Sequence, residues 1–178
     1  MCIRDSVWLH CIGCALFAAQ FGHVNDVASV ACGNGHPCLE RWPLYVFLVS
    51  ALACLSLSAV YHLCGTANDR WYENLANLDY IGIVCLIVGS CTPVVHYGFG
   101  ASFPWHRTLY LHVIAVLGVA IISCSFCSWY HRSLTLRLGL FFALALAGVL
   151  AILHALLLHD FSPATLSLLR GVLQMGMT

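Results

Sequence analysis

Residues 43–64 read PLYVFLVSALACLSLSAVYHLC, a run of 22 without one Asp, Glu, Lys or Arg. A helix rises about 1.5 Å per residue, so a run of this length crosses the ~30 Å hydrocarbon core of a bilayer. A soluble helix would need a polar face, and this stretch has none. Pro43 suits a first helical turn, and Trp42 and Tyr45 suit the interfacial belt. Further apolar runs lie outward from it, at about 7–23, 78–99, 108–127 and 136–158. The sequence therefore predicts five spanning helices and, from Ala164 onward, the approach to a sixth.

Composition agrees. The chain has 178 residues, is 61% hydrophobic and only 8% charged, with a mean hydropathy of +0.90. Soluble domains carry about 25% charged residues, so this surface is not made for water. There is no lysine, and seven arginines balance seven acids, which removes a nucleic-acid partner. Most of the 11 cysteines fall inside apolar runs, where they act as small hydrophobes. Cys11-x-x-Cys14 and Cys124-x-x-Cys127 are read as packing; Cys32 and Cys38 share a polar loop, where a disulfide and two free thiols both remain open. The opening MCIRDS reads as a translated sequencing-library adapter, so residues 1–6 are expected to be non-native and 7–178 to be a fragment.

The connectors carry turn residues. A polar loop holds Asn25, Asp26, Gly33, Asn34, Gly35 and Pro37; GTANDRWYENLAN links the second and third helices. GFGASFPWHR is a turn that contains His106. Pro93 is expected to kink the third helix. Gly139, Ala143, Ala147 and Ala151 form a four-residue repeat of small side chains suited to close helix contact. Alternating crossings put Arg70, Arg132 and Arg137 on one side and Arg41 and Arg107 on the other; the positive-inside rule makes the first side cytosolic.

Ionisable residues inside spanning segments are expensive and are functional candidates by default. His62 closes the second helix and Asp79 opens the third, flanking one connector. Ser58 lies one turn before His62, on the same helix face. Neutral imidazole is a good zinc ligand, and a carboxylate can hold a water beside a metal. The same residues also fit a plainer reading: interfacial helix ends, with Asp79 as an N-cap. Facing histidines could instead carry haem, although no pair is evident at matched depth.

These motifs resemble a known family. Ser58-x-x-x-His62, followed by LDYIGIVCLIVGSCTPVVHYGF over 78–99, is similar to the progestin and adipoQ receptor family, the adiponectin-receptor-like proteins related to haemolysin III. VWLH at 7–10, RWPLYVFL at 41–48, the 17-residue step from His62 to Asp79, and PAT at 163–165 with GVLQMG at 171–176 extend the likeness along the chain. The resemblance implies an all-α integral membrane protein, a seven-transmembrane helical bundle of which this chain covers helices 1–5 and the approach to helix 6. It implies a cytosolic amino terminus, in the plasma membrane or an endomembrane. It further implies a Zn2+ site with His62 as a direct ligand and Asp79 holding the zinc-bound water, Ser58 beside them. The two other ligands, an HxxxH pair on helix seven, are expected beyond Thr178. The implied activity is hydrolysis of a ceramide-like lipid amide, with a possible extracellular hormone ligand; a receptor with a structural zinc is the alternative.

Overall fold

A computed structural model describes residues 3–33, 40–65, 69–127, 130 and 133–158. Among them there is no strand. The helices are α1 (Ile3–Gly33), α2 (Trp42–Cys64), α3 (Asp69–Phe99), α4 (Pro104–Cys124) and α5 (Leu134–Leu158). Each contains a segment long and apolar enough to cross a membrane: Ser6–Asn25, Trp42–Cys64, Trp71–Phe99, Pro104–Cys124 and Leu134–Leu158. Large apolar side chains point outward, among them Trp8 at 64% exposed and Phe142 at 70%. Water would penalise such surfaces; lipid does not.

Helix α2 has nearly the expected span, but the four others begin earlier than the apolar runs. The helical backbone of α1 runs on through Asn25 and Asp26 to Gly33, where a polar loop was expected. Helix α3 starts at Asp69, inside the expected connector, and α4 starts at Pro104, so His106 is helical rather than in a turn. Proline at the first turn forfeits no hydrogen bond, because that N–H has no intrahelical partner. Helix α3 is also continuous through Pro93, which is buried. It ends at Gly100, whose φ of 54° is left-handed and whose N–H reaches the His96 carbonyl at 3.2 Å.

The chain divides into two compact units, Met1–Gly89 and Ser90–Thr178. In the first, α1 and α2 run antiparallel. Phe21 stacks on Tyr45, Phe17 meets Phe47 edge-on, and Cys14 Sγ lies 3.6 Å from Ser56 Oγ. The Tyr45 hydroxyl donates to Asn25 at the far end of this pair. Helix α3 approaches α2 through two glycines. A Cβ on Gly82 would lie 3.0 Å from Cys54 Cα, and one on Gly89 would collide with the Ser50 side chain.

In the second unit, α3 and α5 pack parallel. A Cβ on Gly148 would sit 2.7 Å from Cys91 Sγ, and one on Gly98 would touch Ala155 at 3.6 Å. The buried face of α5 is Leu144, Gly148, Ala151 and Ala155. This corrects the expected small-residue stripe. Gly139 is exposed with nothing within 4 Å of its Cβ position, and of the expected four only Ala151 is on the buried face.

Candidate functional site

Ser58 and His62 lie one turn apart near the end of α2, continuing the line of Ala51 and Cys54. Ser58 is buried, at 7% exposure, and His62 is half-buried. On α3, Asp79 lies one turn before Gly82 and is also half-buried. Two contacts bracket this region. Gly82 lies against Cys54, and the Tyr61 hydroxyl donates to the Tyr72 hydroxyl at 3.0 Å. On α2, Ser58 falls between Cys54 and Tyr61; on α3, Asp79 falls between Tyr72 and Gly82. The carboxylate is within electrostatic reach of both Cys54 and Tyr61. Ser58 and Asp79 therefore lie along one α2–α3 seam, and His62 sits one turn beyond Ser58 on α2, with its ring toward α1.

The position of Asp79 removes the N-cap reading. Helix α3 begins at Asp69, so Asp79 is nearly three turns inside it and within the Trp71–Phe99 span. Nor is it at the mouth of the helix, where the apolar run alone put it. A charge there is costly unless something requires it.

His10, in the VWLH that opens the first apolar run, is not among the residues that spacing singles out. Antiparallel packing brings its ring to within 5.5 Å of the His62 ring, measured between centroids. The His10 Nδ1–H donates to the Ser6 carbonyl at 2.5 Å. A lone histidine four residues into an apolar run carries no spacing signal; the α1–α2 register was needed to find it. His106 and His154 form a second close pair, with centroids 5.0 Å apart. The expectation that no histidines meet at matched depth is thus corrected twice. In both pairs the rings contact each other.

Zinc in a hydrolytic site takes three protein ligands and leaves a fourth position open. Among the described residues, no three His, Cys, Asp or Glu side chains group closely enough to hold a metal. The donors that the sequence singles out are the His62 imidazole, the Asp79 carboxylate and the Ser58 hydroxyl. Cys11, Cys14, Cys124 and Cys127 are free thiols, Cys11 exposed and the other three half-buried. The Cys32–Cys38 pairing falls on side chains outside the described residues.

Apolar spanning helices with an ionisable seam define a multi-pass integral membrane protein. Sequence comparison then gives its family. The model of the haemolysin-III related family matches residues 5–178, and the chain belongs to that family. It is 41% identical over 130 residues to the heptahelical transmembrane protein ADIPOR2 of Oryza sativa subsp. japonica, covering 71% of this chain and 56% of the relative. It is 36% identical over 143 residues to ADIPOR3 of the same plant, covering 79% and 35%. It is 27% identical over 175 residues to the adiponectin receptor protein of Drosophila melanogaster, covering 97% and 38%. The matched segments thus span between about a third and just over half of the length of these relatives.

Proposed function

We propose that this chain carries half of the catalytic site of a zinc-dependent lipid amidase acting on ceramide-type substrates. The reading rests on one observation: a carboxylate, Asp79, is kept inside a spanning helix, on the seam that also carries Ser58, with His62 one turn further along α2. His62 serves as a metal ligand through a ring nitrogen. Asp79 orients a water and accepts its proton as the amide carbonyl is attacked. Ser58 donates a hydrogen bond to the oxygen that gains charge. Zinc, when bound, polarises the carbonyl and lowers the pKa of water toward about 7. The two further imidazoles are assigned to the helices by which the heptahelical relatives exceed this chain. The arginine distribution supports a cytosolic amino terminus, with the seam near the cytosolic face.

A second reading is favoured by the name of the Drosophila relative, an adiponectin receptor protein. In it the zinc is structural and the protein responds to a hormone from outside the cell. Ceramide turnover by the full-length protein decides between the two. Asp79→Asn is expected to lower turnover by about 10²–10⁴-fold, the usual contribution of a positioned proton acceptor, while leaving bound zinc in place. Unchanged turnover in Asp79→Asn would sink the amidase reading. Bound zinc without any turnover in the parent would favour the receptor.

A further inference from the structure

We propose that His106 and His154 form a binding site for a divalent ion of the zinc or copper type, distinct from Ser58, His62 and Asp79. His106 lies in the first turn of α4 and His154 in the last turns of α5. Their rings meet at nearly right angles, 87° apart, with centroids separated by 5.0 Å. Two imidazoles at that separation can direct ring nitrogens at one small cation. Imidazole is the ligand that zinc, copper and nickel share.

The surroundings resemble a ligand support. The Tyr110 oxygen lies 3.0 Å from His154 Nδ1; in the tautomer in which Nδ1–H donates to it, Nε2 presents its lone pair to an ion. A ligating histidine commonly has its second nitrogen engaged in this way, which sets both tautomer and ring orientation. Beneath them sits Phe99, fully buried. It stacks on His106 and Tyr110, with centroids at 6.1 and 5.4 Å, and meets His154 edge-on at 5.8 Å. The nearby guanidinium of Arg107 is turned toward the Gly100 carbonyl, at 3.4 Å. Both histidines are half-buried, so an ion can reach them. With two protein ligands, water completes the coordination, and the ion bridges α4 to α5.

The test uses the chain in lipid nanodiscs with His10→Ala and His62→Ala as background, so that the other histidine pair contributes no imidazole. Copper(II) is titrated and followed by electron paramagnetic resonance. The expected result is one ion per chain with hyperfine coupling to two nitrogens, competed away by zinc. Adding His106→Ala and His154→Ala removes that equivalent while helicity by circular dichroism is unchanged. Tyr110→Phe keeps the stoichiometry and weakens binding about 10–100-fold. A double variant that still binds copper like its parent overturns the proposal. Should that variant fail to fold, the unmutated chain gives a second readout: zinc protects His106 and His154 from diethyl pyrocarbonate. Equal modification of both with and without zinc also overturns it.

Discussion

Asp79 is a residue that stability alone would discard. An ionised carboxylate in a spanning helix costs up to about 2.5–3.5 kcal/mol at the centre and less nearer a face. Asp79→Leu is therefore expected to stabilise the chain toward unfolding in mixed detergent while abolishing turnover in the full-length protein. A loss of stability on that substitution would show Asp79 to be structural. His10→Ala should lower stability by about 0.5–1.5 kcal/mol, the value of an aromatic ring contact, whereas His10→Phe should recover most of it. Recovery by phenylalanine, read from the same unfolding curves, separates ring packing from nitrogen chemistry. Ser58, His62 and Asp79 were legible in sequence because a four-residue step and a helix-flanked connector put them together. His10 was not, because its partner is 52 positions away in the chain.

Among the elements, the spans were legible and their polar ends were not. A run of 22 uncharged residues announces α2, but Asp69 to Asn77 are helical in α3 despite a composition that reads as a connector. Helical backbone bonds close within the segment, so polar residues can extend a spanning helix past the hydrocarbon. Helix α5 shows a subtler failure. Each residue turns the helix by about 100°, so a repeat of four drifts by about 40° per step and leaves the contact face within three steps. Leu144, Gly148, Ala151 and Ala155 alternate steps of four and three and stay on it. Gly148→Val should cost about 1–3 kcal/mol by overpacking against Cys91. Gly139→Val, at an open position, should change stability by less than about 0.5 kcal/mol. Thermal unfolding of the two variants side by side checks this.

For the whole molecule, low charge and long apolar runs made the membrane class plain before any motif was read. The family followed from the α2–α3 signature. A complete metal site was not legible, and among the described residues no three His, Cys, Asp or Glu side chains group closely enough to form one. Topology is the matching test at this scale. With a cytosolic amino terminus, the segment after α3 faces away from the cytosol and the connector before it faces the cytosol. An Asn-x-Ser acceptor inserted at Ala101 should be glycosylated in microsomes and one inserted at Ala67 should not; the opposite pattern would invert the orientation.

The three tight glycine contacts also make a statement about descent. At Gly148 the obstructing atom is Cys91 Sγ, and at Gly89 the nearest are Ser50 Oγ and Cβ, with the Val46 carbonyl at 3.3 Å, so a larger residue at either glycine calls for a smaller one at Cys91 or Ser50. Such pairs should covary among homologues. At Gly82 the obstruction is the Cys54 backbone, which no replacement removes. Gly82 should stay fixed while its neighbours exchange, because the mutational route away from it has no compensating partner.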